Sequence, residues 1–319
     1  MYNIERVSRA VSFNSPDRVP LLYFNKDQDQ SDLIAVDVVD HYGGLDRDQS
    51  EWGFTWDRMD DTMGQPTAPI LSSLDDVSSL HIPDPHAAFR RRALPAMKSI
   101  YGEDRYYIAS LVLSGFTVIS ALRGFSDTLV DMFEDPIRFA SFADIVFSFE
   151  EQLIIGLRDQ GYQAVAFFDD WGMQDGLLIS PDLWRRIFKP RYNKQFDLVH
   201  ECGMDVYFHN CGYYYEIIQD FIDIGVDLLN ISQPNLYNIE KLGADFGGKV
   251  CFVCPVSYQT TSISGTRNDI YQDVELLVKH LGCFNGGLIG YIEEYGSMGM
   301  SEANYQACID AFTDLGMYP

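Results

Sequence analysis

The chain has 319 residues, of which 47 are acidic and 23 are Lys or Arg, so its formal charge is −24. This balance argues against binding to nucleic acid or to anionic membranes, because both require clustered basic side chains. No apolar run reaches the roughly 20 residues that cross a bilayer, and no apolar leader follows Met1. We therefore expect a cytoplasmic protein whose six cysteines are free thiols or metal ligands.

Short apolar segments alternate with longer amphipathic segments along the chain. The strand-like segments are residues 19–24, 106–113, 164–168, 205–208, 227–231, 250–253 and 287–292. The helix-like segments are residues 135–160, 181–198, 214–224 and 301–315. About eight such units in one domain over residues 1–319 favour a (β/α)8 barrel of the TIM type with an N-terminal extension. The alternative is an open doubly wound sheet, but no glycine-rich phosphate turn follows any of these strands.

Polar side chains and cysteines directly follow several of the predicted strands. They are Asp169, Asp170, His209, Cys211, Gln233, Cys254, Glu293 and Glu294. The carboxyl ends of all strands in a parallel barrel open onto one face, where barrel enzymes carry their chemistry. We therefore expect these side chains to converge in space although they are distant in sequence.

The segment His209-Asn210-Cys211-Gly212 predicts a metal site. Residues two apart on a strand point to the same side, so the imidazole and the thiol can reach one ion, and this pair suits zinc. A catalytic zinc takes a third protein ligand, for which Glu294 is our first choice, Glu293 the second and Cys254 the third. The same residues are also compatible with a buried histidine, an inert core cysteine and two glutamates in a solvated loop.

Two further groups of residues are candidates for roles near this metal. Asp169 and Asp170 suit general acid–base catalysis or a hydrogen bond to a metal ligand, and they suit a helix N-cap equally well. We expect the substrate to be lined by Trp171, Tyr213, Gln233, Cys254, Glu293 and Tyr295. For the aromatic residues, ordinary core packing is the alternative.

Several segments resemble the uroporphyrinogen decarboxylase superfamily. They are residues 6–20 with Asn14-Ser15-Pro16-Asp17-Arg18, residues 51–64, residues 132–136, residues 188–192, and the His209-x-Cys211 pair. The resemblance covers nearly the whole chain and implies a TIM-type barrel. The Arg-rich run with which the decarboxylase grips its porphyrinogen carboxylates is missing after Pro20, so the sequence is more similar to the zinc-dependent, corrinoid-linked methyltransferase branch.

That branch implies His209, Cys211 and a third ligand around zinc, and a corrinoid carried by a separate protein. Its thiol-methylating members have a cysteine near the last strand where this chain has Glu294, and an oxygen ligand favours activation of an ether oxygen. We therefore expect an O-demethylase that moves a methyl group from a methoxylated, plausibly aromatic substrate to a Co(I) corrinoid. The alternatives are a methylcorrinoid:thiol methyltransferase of the coenzyme M type, a metal-free decarboxylase, and a barrel that only binds a ligand.

Overall fold

The computed structural model describes residues 1–41, 49–57 and 65–318. Its strands are β1 (Leu21–Phe24), β2 (Leu33–Asp37), β3 (Thr55–Asp57), β4 (Gln65–Ala68), β5 (Tyr106–Ser110), β6 (Ala164–Phe168), β7 (Asp205–Asn210), β8 (Leu228–Ile231), β9 (Cys251–Pro255) and β10 (Leu288–Glu293). Eight of these strands form one parallel sheet in the order β1-β10-β9-β8-β7-β6-β5-β2, and β3 and β4 form a separate antiparallel pair.

Helices surround this sheet. They are α1 (Asn3–Val11), α2 (Ala88–Tyr101), α3 (Gly115–Arg123), α4 (Phe125–Glu134), α5 (Pro136–Leu157), α6 (Pro181–Ile187), α7 (Lys189–Glu201), α8 (Ile218–Asp223), α9 (Ile239–Phe246), α10 (Thr261–Ser264), α11 (Arg267–His280) and α12 (Glu302–Leu315). None of the helices in the described part of the chain combines the length and the apolarity that a membrane crossing needs.

The sheet is an almost closed (β/α)8 barrel, as the sequence predicts. β1 and β2 complete the ring without a regular ladder of backbone hydrogen bonds between them. The backbone N–H of Asp32 donates to the carbonyl of Leu21 at 2.8 Å, and the Asp32 carboxylate accepts the Leu21 N–H at 2.7 Å. Helix α1 lies at the N-terminal end of the barrel, where Val7 packs with residues of the barrel interior. This helix is the predicted N-terminal extension.

Two apolar layers hold the barrel together. Inward-facing side chains such as Ile108, Ala166 and Val253 fill the interior. A larger set, including Phe167, Phe208 and Phe252, packs between the strands and the helices. The alternation along each strand sorts side chains into these layers, because successive residues point to opposite faces.

The helix predicted over residues 181–198 is two helices. It breaks at Phe188, directly before the Lys189-Pro190 pair that begins α7. Proline lacks the N–H that would continue the preceding helix, and its ring fits the first turn of a new one. Strand β2 was not among the predicted strands, and residues 58–64 of the family-like segment 51–64 lie outside the described residues.

Candidate metal centre

One layer of inward-facing side chains crosses four neighbouring strands near the barrel mouth. The register pairs Phe168 of β6 with His209 of β7, His209 with Asn230 of β8, and Asn230 with Val253 of β9. His209 therefore projects into the mouth at the end of its strand, as the sequence predicts, and Cys211 follows it on the adjoining loop.

Asp170 joins these two residues in a cluster of possible metal ligands. One donor atom from each of Asp170, His209 and Cys211 lies within 4.8 Å of the other two. His209 Nε2 is 3.4 Å from Cys211 Sγ and 3.9 Å from Asp170 Oδ1. The position of Asp170 follows from the β6–β7 register, because Phe168 is paired with His209 and the loop after β6 then runs beside Cys211. The backbone N–H of Cys211 donates to Asp170 Oδ1 at 2.9 Å and fixes this approach.

The spacing of the His209 and Cys211 donor atoms fits zinc. With Zn–N of about 2.0 Å and Zn–S of about 2.3 Å, a tetrahedral ion holds its nitrogen and sulfur ligands about 3.5 Å apart, close to the observed 3.4 Å. Burial works against a charged imidazole, but Cys211, Asp170 and Asn230 outweigh it and raise the pKa of His209 to about 9. The groups around the imidazole thus stabilise a positive charge at this position, and a bound divalent cation would place positive charge at the same position.

The two glutamates at the end of β10 have different surroundings. Glu293 faces the mouth, where its carboxylate accepts the Tyr295 hydroxyl at 2.7 Å and burial raises its pKa, an effect that His209 opposes. Glu294 lies instead near Lys26. The pKa of Lys26 is raised mainly by its hydrogen bond to Glu302, and the charge of Glu294 raises it further. Among the described residues, neither glutamate belongs to the three-residue cluster.

Asp169 points away from the mouth although it precedes Asp170. It is fully buried and accepts the backbone N–H groups of Phe116 and Thr117 at 2.8 Å each, the Thr117 hydroxyl at 2.7 Å, and the Tyr192 hydroxyl. Burial raises the pKa of Asp169 to about 7. Its carboxylate therefore holds the first turn of α3 in place, a capping role that comes from another element of the fold.

Three residues of the expected substrate lining are buried: Trp171 and Cys254 pack toward the helices, and Gln233 supports the loop at the mouth. Trp171 has no exposed surface and donates its indole N–H to the Tyr192 hydroxyl at 3.1 Å. Cys254 is also fully buried and packs in the layer between the strands and the helices, because its strand position faces outward. Gln233 is 5% exposed and accepts the Gly212 N–H at 2.6 Å, which supports the turn after Cys211.

Tyr213 and Tyr295 remain accessible near the mouth. The ring of Tyr213 stacks on Tyr215 with a centroid distance of 6.0 Å, and the ring of Tyr295 stacks on Tyr258 at 4.9 Å. Tyr258 also lies near Cys211 and Glu293, so the Tyr258–Tyr295 pair forms an aromatic wall beside the cluster.

Residues 52–292 match the family described as uroporphyrinogen decarboxylase (URO-D). The chain belongs to this family. Among curated proteins no match was found. A solved structure of a methyltransferase from Methanosarcina mazei is similar with a TM-score of 0.74 and 15% identity, covering 98% of this chain and 99% of that chain.

Lower similarity connects the chain with two other barrels. An endo-beta-1,4-xylanase from Gloeophyllum trabeum gives a TM-score of 0.44 at 10% identity, covering 69% of this chain and 80% of that one. A 3-keto-D-glucoside 4-epimerase from E. coli gives 0.43 at 15% identity, with 71% and 84% covered. At this level the likeness says nothing about chemistry.

The mouth of this URO-D family member is acidic. Asp37 is the last residue of β2, and sequence reasoning missed it because β2 itself was missed. Burial raises the pKa of Asp37, while a hydrogen bond from Ser110 opposes that effect. Among the described residues, the carboxylates of Asp37, Asp170 and Glu293 form no ion pair with Lys or Arg. The mouth therefore suits a substrate that carries no strong negative charge.

Proposed function

We propose that this protein is a zinc-dependent methyltransferase, which transfers a methyl group from a methoxylated, plausibly aromatic substrate to the Co(I) corrinoid of a partner protein. The observation that carries the proposal is the cluster of Asp170, His209 and Cys211 at the carboxyl ends of adjacent strands, open to the barrel mouth. A catalytic zinc has three protein ligands and one open position, and this cluster supplies three ligands of suitable types.

In this proposal His209 and Cys211 hold the ion, and Asp170 is the third ligand in place of the expected Glu294. Bound zinc would act as a Lewis acid toward the ether oxygen of the substrate. The loop around Gly212 keeps Cys211 in position through the Gln233 side chain. Asp169 contributes indirectly, because its hydrogen bonds to the first turn of α3 anchor the chain directly before Asp170.

The aromatic side chains at the mouth orient a planar substrate. Phe24 stacks on Tyr291 at 6.1 Å, and Tyr258 stacks on Tyr295 at 4.9 Å, so flat apolar surfaces are present on the β1 and β10 side of the opening. Aromatic walls of this kind bind planar rings through offset stacking. The acidic mouth disfavours the two alternative reactions if their substrates are anionic, as a porphyrinogen polycarboxylate is.

The test combines metal content with methyl transfer. Zinc per chain is measured by elemental analysis after the protein has been loaded with zinc. Demethylation of methoxylated aromatic compounds is followed through the loss of the Co(I) absorbance of a reduced corrinoid protein. We expect about one zinc per unmodified chain, as a single three-ligand site requires, and we expect methyl transfer with at least one donor. Cys211→Ala should lose both.

Cys202→Ala is the matched control, because Cys202 is a half-buried thiol directly after α7 that accepts from Arg158 Nε and does not belong to the cluster of donors. It should keep both zinc and activity. An unmodified chain without zinc after loading would refute the proposal. Methyl transfer from a methylcorrinoid to a thiol would instead establish the reverse direction, and metal-free loss of CO2 from a porphyrinogen would establish the decarboxylase.

A further inference from the structure

Asn230 connects the candidate metal ligand His209 to the next strand of the barrel. It lies on β8 and is 2% exposed, so water does not compete for its amide. Its Oδ1 lies 2.6 Å from His209 Nδ1, and its Nδ2 donates to the carbonyl of Val253 at 2.7 Å. The register places these three residues side by side on β7, β8 and β9.

The partner on β9 fixes which end of the amide faces the histidine. The Val253 carbonyl can only accept a hydrogen bond, so the nitrogen of the Asn230 amide must face it. The amide oxygen then faces His209, and an oxygen acceptor requires that His209 Nδ1 carries a proton. In the neutral imidazole the lone pair is therefore on Nε2, the atom that approaches Cys211 Sγ and Asp170 Oδ1.

We infer that Asn230 is a positioning residue, which selects the Nδ1–H form of His209 and aims Nε2 at the metal. This inference rests on the proposed zinc site. Ligating histidines commonly donate their second N–H to an acceptor that fixes both the ring orientation and the protonated nitrogen. Here that acceptor is an uncharged amide, and it is itself held by the backbone of the neighbouring strand.

A second contact removes the remaining freedom of the ring. The Phe168 ring stacks on the His209 imidazole with a centroid distance of 4.9 Å and an interplanar angle of 30°. Phe168 sets the plane of the ring, whereas Asn230 distinguishes its two nitrogen atoms. Only the second function depends on a hydrogen-bond acceptor, so substitution at Asn230 can separate the two.

The experiment measures metal binding in three variants. Asn230→Leu removes the acceptor at similar volume, and Asn230→Asp keeps an acceptor toward His209 but loses the donor to Val253. Asn304→Leu is the control, since the Asn304 amide also bridges backbone carbonyls, those of Ser262 and Gly265, without touching the cluster. Zinc affinity is measured by competition with a chromophoric chelator, and the Co(II)-loaded chains are compared by absorption spectroscopy.

We expect Asn230→Leu to lose about 10- to 100-fold in zinc affinity, the usual effect of removing such a partner, and Asn230→Asp to lose less. The Co(II) d–d bands of Asn230→Leu should shift or weaken, while the thiolate charge-transfer band from Cys211 persists. Should the leucine variant not fold, Asn230→Ala gives the same comparison with a smaller side chain. Unchanged affinity and spectra in a folded Asn230 variant would overturn the inference alone, whereas failure of the unmodified chain to bind metal would refute the proposed site itself.

Discussion

The two ends of the barrel differ in whether their buried and half-buried polar groups are ion-paired within the chain. At the N-terminal end, the buried carboxylate of Asp32 accepts from Arg6 and Arg18 at 2.8 Å each and from the Leu21 N–H at 2.7 Å. At the mouth, Asp170 and His209 approach each other and Cys211 without any ion pair to Lys or Arg among the described residues.

This difference separates groups that stabilise the fold from groups available to a ligand. A buried charge whose hydrogen-bonding positions are all occupied by groups of the chain is not available to bind a ligand. Residues at the N-terminal end of a barrel contribute to stability. A bound cation would instead stabilise the close approach of several ligand atoms at an open mouth. Substitutions at the two ends should therefore affect different measurements.

Asp32→Ala should give the largest loss of stability. It leaves Arg6 and the partly buried Arg18 without their shared carboxylate, and removal of one partner from a buried ion pair costs about 3–5 kcal/mol. We expect this decrease in the free energy of unfolding, measured by denaturant titration, with no change in the zinc affinity of the folded chain. The exposed Asp29 on the same loop supplies the control Asp29→Ala, which should leave stability unchanged. Reduced zinc affinity in Asp32→Ala would contradict the separation of the two ends.

Trp171 tests whether a residue of the sequence-predicted substrate lining acts through packing. Trp171→Phe removes the indole hydrogen bond to Tyr192 and part of a fully buried ring. We expect a loss of about 2 kcal/mol in the free energy of unfolding, typical of a core substitution, and an unchanged KM for the methyl donor. The accessible Tyr295 offers the contrast, because Tyr295→Ala removes one ring of the Tyr258–Tyr295 aromatic wall and should raise KM. A raised KM for Trp171→Phe would place this residue in the substrate site after all.

The sequence predicts the strands better than it predicts which way their last residues point. β6 coincides with its predicted span, residues 164–168, because an uninterrupted apolar run is bounded by polar residues on both sides. β2 was missed because its apolar run, interrupted only by Asp37, has no period that distinguishes a buried strand from a helix. The break at Phe188 was missed because an amphipathic pattern continues through it.

The candidate site divides in the same way into local and non-local parts. The proximity of His209 and Cys211 is local, since they are two residues apart at the end of β7 and in the loop directly after it. The nearness of Asp170 depends on the pairing of β6 with β7, and the contact of Asn230 depends on the pairing of β7 with β8. The side chains of Asp169 and Cys254 point toward the helices and not into the mouth, where we expected them. Whether a residue at the end of a strand faces inward or outward depends on a register that the sequence alone does not define.

Glu150 makes stability depend on pH on the mouth side of the barrel. This fully buried carboxyl of α5 accepts the Gly115 N–H at 2.8 Å and the Gln195 amide at 2.6 Å, and it has no cationic partner among the described residues. Burial raises its pKa from 4.5 to about 8. The folded chain therefore keeps a proton that the unfolded chain releases between these values, so stability falls as pH rises through this window.

Glu150→Gln should flatten this dependence. The contribution of one such group is at most about 1.4 kcal/mol per pH unit, and we expect the slope of the unfolding free energy between pH 5 and pH 8 to decrease toward that left by Asp169. Chemical denaturation at a series of pH values measures it. Glu134→Gln, which changes an exposed carboxylate of α4, should leave the slope as it is. An identical slope in both variants would show that Glu150 is ionised in the folded chain.

The third ligand of the proposed metal is Glu294 by the sequence-based expectation and Asp170 by the proposal above, and two alanine variants decide between them. Asp170 lies within 4.8 Å of both other donors, whereas Glu294 lies outside the cluster and near Lys26. We expect Asp170→Ala to weaken zinc binding about tenfold, or about 1.4 kcal/mol, because the imidazole and the thiolate, the two ligand types that suit zinc best, still hold the ion. We expect Glu294→Ala to bind zinc normally. The affinities are measured by chelator competition at one pH.

The two variants also separate the two roles considered for Asp170. As a ligand, its loss lowers zinc affinity and shifts the Co(II) d–d bands. As an acid or base that only exchanges protons with the substrate, its loss lowers kcat but leaves both metal readouts unchanged. If Glu294→Ala loses zinc and Asp170→Ala does not, the order expected from the sequence is correct. The loop after β10 must then approach His209 more closely when metal is bound than it does in the structure described here.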